Sequence, residues 1–532
     1  MDLTTFKHSV EQVDLAPLVQ DGTAINWDEF RGVPGREHYK LLAWLAAKYQ
    51  GRDIFDIGTH RGASALALSA GSPTNQIYSF DLEHKYPLPR PANVTYSTDN
   101  LMEDGGYSQW REKLLGSAFI FLDIDPHEGT RELVFIDKLR QEGYAGFIIC
   151  DDIWYFKEMR DNFWYKVPGA DRVDVTAAGH WSGTGVIRFE STAAPATLSL
   201  FPVAAAESPS NWTVVTAYFD LTKMSDASIS IKSRPSGHYL ASARATMAVE
   251  QNLMVFCEPE SVEALRAMRP AHLLDSHTRF VPMSFEDFPM TKFRAQIQQN
   301  RREKPYHFDD RNTASYYLLC MARYAMLKMA IAENPFGSTH FCWLNVCIER
   351  MGWRNLWALD SVWRANRNRF STCWIDYQPE ALVRNMPEYF KWGRCGMCSG
   401  FFTGNAEFMK AFCDGIEAKF LYALEAGYGH ADEQLFSMVY FDQPEIFDVY
   451  YGDYREMVTN YVEPVDKPFE PVRLLVEHAL AHGDAATAAR GGTTVWNAWK
   501  DGKAPLDEGQ RGYLERLLRE ARRRLGLGAT LP

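Results

Sequence analysis

The feature that most limits what this chain can fold into is a rhythm. From about Glu37 to Arg188, short apolar runs (DIFDIG, QIYSFDL, NVTYS, FIFLDID, GFIICDD and GTGVIRFE) alternate with stretches of helical pattern. Near-continuous apolar runs suit strands covered on both faces, and their alternation with helices predicts a parallel α/β sheet. Several runs end in carboxylates: Asp56, Asp81, Asp123 with Asp125, and Asp151 with Asp152. Carboxylates crowded at neighbouring strand ends repel one another unless a cation or a proton lies between them.

The rhythm stops at STAAPATLSLFPVAAAESPSN, which is rich in Ala, Pro and Ser and has no period, and restarts at TVVTAYFDL. A length of 532 residues exceeds what one hydrophobic core serves. The expected division is a first α/β domain with an N-terminal helical extension over 1–192, a linker over 193–211, a second α/β domain over 212–462, and a helical C-terminal appendage over 463–532. A helix is predicted around Ala314 to Glu333, and helices dominate from Asn405 onward. The two halves share no repeated motif.

Net charge is −12, which excludes bulk nucleic-acid binding. The basic tail YLERLLREARRRLG reads as the solvated face of a last helix. No apolar run approaches a membrane span, and MDLTTFKHSVEQVDLAP lacks the pattern of a signal peptide, so a cytoplasmic location is expected. The nine cysteines have no framework spacing, and the CxxC of Cys395 and Cys398 lacks the second pair that a structural zinc needs.

In IFDIGTHRGASALALSA, residues 54 to 70, a strand carrying Asp56 runs through Gly58 and Gly62 into a helix of small residues. Glycines there let a ligand approach the backbone, and the helix N-terminus offers N–H groups. Asp81 ends the next strand, where a carboxylate accepts hydrogen bonds from ribose hydroxyls, and Asp99 after the third strand joins the cofactor-binding set. With no further close glycine for a pyrophosphate, the pattern suits a mononucleoside such as S-adenosylmethionine. Residues 35 to 190 thus resemble class I S-adenosylmethionine-dependent methyltransferases with a Rossmann-like sheet. LDIDPHEGT followed by ICDDI is similar to the LDGDxYES…DD pattern of macrocin-type, metal-dependent sugar O-methyltransferases. That resemblance implies a divalent metal, Mg²⁺ or Mn²⁺, on Asp123, Asp151 and Asp152, and Asp125 as general base. This chain departs from the pattern with Ile124, Pro126 and His127 in the loop, which makes His127 a rival base, as is His180 in AAGHWSGTG. The resemblance also implies a homodimer. Helix capping by Asp125 and Asp152 is the alternative.

The second half carries KSR (Lys232–Arg234), NPF (Asn334–Phe336), CWLNVCI, SGFFTGN, GHADEQ and YYGDY. Their order and spacing resemble the HtrL/YibB-type bacterial family, whose fold is similar to GT-A glycosyltransferases, with a mixed sheet. The resemblance implies a sugar-nucleotide donor. Where the family places an acid and a glycine after a central strand, this chain has Asn345 and Cys347, with Glu349 close by. Asp432, with Glu433, is expected to activate an acceptor. Gly400 and Gly404 are expected to let one approach the backbone. Arg234, Arg323 and Lys328 are expected to meet a diphosphate.

Together these features predict a bifunctional carbohydrate-modifying enzyme, a sugar O-methyltransferase fused to a glycosyltransferase. Its acceptor would be a surface glycan or a glycosylated small molecule. The alternatives are an active methyltransferase joined to a non-catalytic glycan-binding domain, and a scaffold with residual ligand binding.

Overall fold

The computed structural model describes the chain except residues 1–2, 19–29, 31, 84–90, 190–200, 202–210, 235–236, 305–308, 353, 364, 366, 463–468, 502–503, 505, 529–530 and 532. It divides into two compact units, Met1–Ser208 and Pro209–Pro532. Nearly all of the expected linker lies outside the described residues.

The first unit is built on seven strands: β1 (Asp53–Ile57), β2 (Gln76–Phe80), β3 (Val94–Ser97), β4 (Phe119–Leu122), β5 (Phe147–Cys150), β6 (Arg172–Asp174) and β7 (Gly185–Arg188). Their order is β3-β2-β1-β4-β5-β7-β6. β3 through β5 run parallel, and β7 enters antiparallel between β5 and β6. This is a Rossmann-like sheet with one antiparallel strand. The all-apolar runs FIFL and FIIC are buried along their whole length, because helices cover both faces.

Register decides what gathers at the C-terminal edge. Ile57 pairs with Phe80 and with Leu122, and Leu122 pairs with Cys150. The ladder then continues one residue further, with Gly58 N–H donating to Phe80 O, Asp123 N–H to Ile57 O and Asp151 N–H to Leu122 O. Gly58, Asp123 and Asp151 are thereby level on three adjacent strands, and Asp81 follows β2 directly. The strand order reverses between β1 and β4, the switch point at which open α/β sheets bind ligands. Helix α1 (Leu3–Glu11) packs on α2 (Tyr39–Lys48), and α2 packs on α3 (Ala63–Gly71). The small residues of α3 allow this close approach: a Cβ on Gly71 would lie 2.2 Å from the Ala43 carbonyl oxygen.

In the second unit the strands are β8 (Trp212–Tyr218), β9 (Asn252–Cys257), β10 (Thr278–Pro282), β11 (His340–Leu344), β12 (Ser371–Trp374), β13 (Met397–Asn405) and β14 (Tyr450–Tyr451). They are ordered β10-β9-β8-β11-β13-β12-β14. β10, β9, β8 and β11 are mutually parallel, and β13 runs antiparallel to both β11 and β12, so the sheet is mixed. A 20-residue helix spans Ala314–Glu333, as its pattern predicts. Thr313 caps it by accepting from Tyr316 N–H, and Asn334 ends it in the left-handed conformation.

The three C-terminal helices, Phe469–Ala481, Ala485–Lys500 and Glu508–Arg524, differ from the expected separate appendage. Val472, Leu475, Val495, Leu514 and Leu518 belong to the same apolar cluster as Trp374, Phe402 and Phe436 around the sheet. An amphipathic helix has to bury its apolar stripe, and here the sheet-covering layer is what it buries against. Of the arginines of the last helix, Arg519 pairs with Glu515, and Arg523 and Arg524 pair with Glu520.

Candidate functional site

At the β1 end, Gly58 has φ +92°, and a Cβ there would sit 1.6 Å from the Asp123 carbonyl oxygen. The turn therefore lies directly on the backbone that leaves β4. Gly62, in the left-handed conformation, precedes α3, which has no side-chain cap. The turn floors a cleft of about 260 Å³ lined by His38, Tyr39, Thr59, His60, Phe121 and Asp123 among others. Asp81 is fixed at its rim, with Oδ2 accepting from His60 N–H at 2.7 Å and Oδ1 from Glu83 N–H at 3.2 Å.

The other two expected cofactor carboxylates sit differently. Asp56 is wholly buried beneath the turn instead of facing it, accepting from Ser79 Oγ at 2.8 Å. Burial raises its pKa, against the hydrogen bond from Ser79. Asp99 accepts from Ser97 Oγ, Gln109 Nε2 and Trp110 Nε1 at 2.6, 3.1 and 2.7 Å, and the Ser97 hydroxyl, then the Trp110 indole, hold its pKa low.

Asp123, Asp151 and Asp152 come together with three histidines and divide into two groups. Donor atoms of Asp123, His127 and Asp152 all lie within 4.8 Å of one another, and so do those of His38, Asp151 and His180. His127 Nε2 is 3.4 Å from Asp152 and 3.2 Å from Asp125, and its ring stacks on Phe156 at 4.4 Å. Asp151 Oδ2 lies 2.9 Å from His180 Nδ1 and 3.3 Å from His38 Nδ1.

The electrostatics follow from this division. Burial, then Asp151 and Asp152, pushes the Asp123 carboxyl well above the usual range. Burial, then Asp151, raises Asp152. Burial works against the Asp151 carboxylate too, but His38 and His180 outweigh it and hold its pKa low. Burial alone would lower His180, and Asp151 pushes it up to about 9.

Capping does not account for these acids. Gly129 precedes helix α5 (Thr130–Gln141) and Phe156 precedes α6 (Lys157–Asn162), neither with a side-chain cap. Asp125 is 90% exposed at the mouth of the group. His127 and Asp152 are held at φ +54° and +61°, in the left-handed region that is uncommon for any residue but glycine. Buried, mutually repelling carboxylates beside imidazoles form a set of hard oxygen and nitrogen donors that fits a divalent cation. His38, buried just before α2, carried no motif in the sequence and is a member of the site only through folding.

In the second unit a network joins β11 to β13. Asn345 N–H donates to Gly400 O at 2.9 Å, and Asn345 Oδ1 accepts from the Trp343 indole at 2.9 Å. The Arg323 guanidinium lies over the Trp343 ring, donates to Ser399 O, and pairs with Asp432 at 3.5 Å. Asp432 also accepts from Tyr324 OH at 3.0 Å, and Glu433 accepts from Ser399 N–H and Oγ at 3.2 and 3.0 Å. Burial, then Asp432, raises the Glu433 carboxyl. Asn345, Gly400, Asp432 and Glu433 are thus joined in one network, in which Asp432 is buried in an ion pair with Arg323.

Three other expectations are corrected. Gly400 makes room for Asn345 Nδ2 and Met457 Sδ, each 3.0 Å from where its Cβ would be, rather than for an acceptor. Gly404 would place a Cβ at an ordinary 3.4 Å from Phe370. Lys328 is bound to Asp414 and Glu417 at 3.1 and 2.6 Å, not to this network. Glu349 is half-buried in the turn after β11. All nine cysteines are free thiols.

Residues 210–461 match the family model described as a bacterial protein of unknown function (HtrL_YibB). An S-adenosyl-L-methionine methyltransferase from Silicibacter pomeroyi is 13% identical over 35% of this chain and 96% of that chain, with a TM-score of 0.21. The MycE methyltransferase of the mycinamycin biosynthetic pathway, in complex with Mg and SAH, is 11% identical over 36% of this chain and 56% of that chain, with a TM-score of 0.23. Mouse xyloside xylosyltransferase 1 in its apo form is 12% identical over 45% of this chain and 83% of that chain, with a TM-score of 0.24. No curated protein matches the chain.

Proposed function

We propose that the first unit is a metal-dependent, S-adenosylmethionine-dependent O-methyltransferase acting on a sugar hydroxyl, and that the second is a sugar-nucleotide-dependent glycosyltransferase. The acceptor is a glycan or a glycosylated small molecule. The observation that carries the first half is the level array on one sheet edge: the Gly58 turn, Asp81 at the cleft rim, and Asp123, Asp151 and Asp152 beside them.

In this reading the cleft floored by the Gly58–Gly62 turn takes the methyl donor, with Asp81 toward its ribose. Asp123 and Asp152 would hold a divalent ion with His127 as the nitrogen donor of the same group, and Asp151 would stand beside it in the neighbouring group with His38 and His180. When bound, such an ion polarises a hydroxyl and lowers its pKa. Asp125, exposed at the mouth and 3.2 Å from His127, takes the hydroxyl proton. The oxygen forms the new bond to the methyl carbon as the carbon–sulfur bond breaks, leaving S-adenosylhomocysteine. The metal is Mg²⁺ in this reading, with Mn²⁺ the other candidate.

The expected outcome for Asp125→Asn is a fall in kcat of about 10²- to 10⁴-fold, with S-adenosylhomocysteine and Mg²⁺ still bound in calorimetry. Unchanged turnover would move the proton to His127 or His180. Failure of the wild-type chain to bind S-adenosylhomocysteine would sink the methyltransferase reading as a whole.

For the second unit, one observation favours a non-catalytic glycan-binding domain instead. Asp432 is closed by Arg323 and Tyr324, and Asn345 stands where an acid is expected. Hydrolysis of a sugar nucleotide by the full chain separates the two: turnover supports transfer, and glycan binding without turnover supports the module.

A further inference from the structure

In the second unit, cations gather where an acid was expected. β11 ends at Leu344, and residues 240–247 fold against the turn that follows, with Thr246 Oγ1 donating to the Asn345 carbonyl at 3.0 Å; residues 229–234 precede them in the chain. Between the two, the ring of Tyr239 is flanked by two guanidinium groups. Arg234 lies 4.9 Å from the ring centroid, and Arg350, from the turn after β11, lies 5.1 Å from it. Arg350 Nη1 donates to His238 Nε2 at 2.5 Å, which requires that nitrogen to be unprotonated. His238 is therefore an anchor for Arg350 rather than a third charge. Its pKa is correspondingly lowered, by burial and then by Arg350 and Arg234.

Among the described residues, no carboxylate lies within ion-pair distance of Arg234 or Arg350, whereas the neighbouring Arg311 is closed by Asp309. Two like charges share one aromatic ring with no carboxylate in ion-pair contact, and Asp309 offsets Arg234 only after burial, Arg311 and Arg350 have acted against it, so a polyanion relieves a standing cost. The cations remain within reach: Arg350 is exposed, and Arg234, His238 and Tyr239 are half-buried. Both trios of metal-donor side chains found among the described residues belong to the first unit.

We infer that Arg234 and Arg350, held by Tyr239 and His238, form an anion site for the diphosphate of a nucleotide beside the C-terminal end of β11. The guanidinium groups there neutralise the charge without a divalent ion. The identity of the ligand rests on the sugar-nucleotide reading above; the anion site does not. Arginine suits the task because its planar fork presents paired donors to phosphate oxygens.

The test is calorimetry on the full chain in EDTA, with inorganic pyrophosphate and with UDP, GDP and dTDP as probes. Pyrophosphate and at least one nucleotide are expected to bind. The double variant Arg234→Ala with Arg350→Ala is expected to lose about tenfold or more in affinity for each. Arg234→Lys with Arg350→Lys, which keeps the charges, is expected to fall between, and the thermal midpoints of all variants check folding. Arg279→Ala, which removes a cation paired with Glu333, is expected to match the wild type. Equal affinity in the double alanine variant, or affinity that appears only on adding Mn²⁺, would overturn the site. Pyrophosphate bound with every nucleotide excluded would overturn the nucleotide assignment. Sugar-nucleotide turnover indifferent to both arginines would defeat this inference and spare the glycosyltransferase reading. Nucleotide bound through the arginines with no sugar nucleotide turned over would do the reverse.

Discussion

His430, in GHADEQ, is 1% exposed, and its Nδ1 accepts a hydrogen bond from Gly429 N–H at 2.8 Å. Burial, and then the Arg301 guanidinium, depresses its pKa to about 3. The unfolded chain binds a proton at this histidine below about pH 6.5, and the native one does not until about pH 3. Stability is therefore intact above pH 6.5 and falls as pH drops through this window, by about 2 kcal/mol between pH 7 and 5. Urea midpoints of the second unit at the two pH values check this. His430→Gln, which keeps an acceptor but cannot titrate, is expected to flatten the dependence, and an unchanged slope in that variant would refute the assignment. At this scale the sequence was only partly legible. The carboxylates Asp81, Asp123, Asp151 and Asp152 announce themselves by ending apolar runs. His38 and the pairing of Arg323 with Asp432 do not, because each partner is distant in the chain and neither has a local pattern.

Between residues and domains stands the β1–α3 turn. Its glycine spacing is legible, but the reason for it is not local: the Asp123 carbonyl oxygen occupies the space a Cβ at Gly58 needs, 1.6 Å away. Gly58→Ala is expected to lift the turn off the β4 end and to weaken S-adenosylhomocysteine binding by about tenfold or more, as calorimetry would read, because φ +92° and the clash act together. Wild-type affinity in this variant would mean that the turn does not floor the donor cleft. The strands and the long helix Ala314–Glu333 were readable because hydrophobic period and caps are local signals. Capping by Asp125 and Asp152 was an equally local reading, and the helices α5 and α6 begin too far along the chain for it.

Among the described residues, each unit has an extensive apolar cluster of its own. One draws on residues from Phe6 to Phe201, the other on residues from Val215 to Ala521. Separate cores make separate cooperative units, so a ligand of one unit should stabilise that unit alone. Scanning calorimetry with S-adenosylhomocysteine at 100 times its Kd is expected to raise the transition of the first unit by roughly 5–10 °C, about 2.7 kcal/mol of linkage, and to leave the other in place. A single transition moving as one would show the units to be coupled. The chain by itself determined the two α/β cores, the acid-ended strands and the absence of a carboxylate at Asn345, since all are matters of period, run length and residue identity. Tertiary structure alone decided that three aspartates share two histidine groups, that Asp432 is closed by Arg323, that the last three helices complete the second core, and that Arg234 meets Arg350 across Tyr239. These depend on strand order and register, which bring distant residues to one edge and which no local window of sequence encodes.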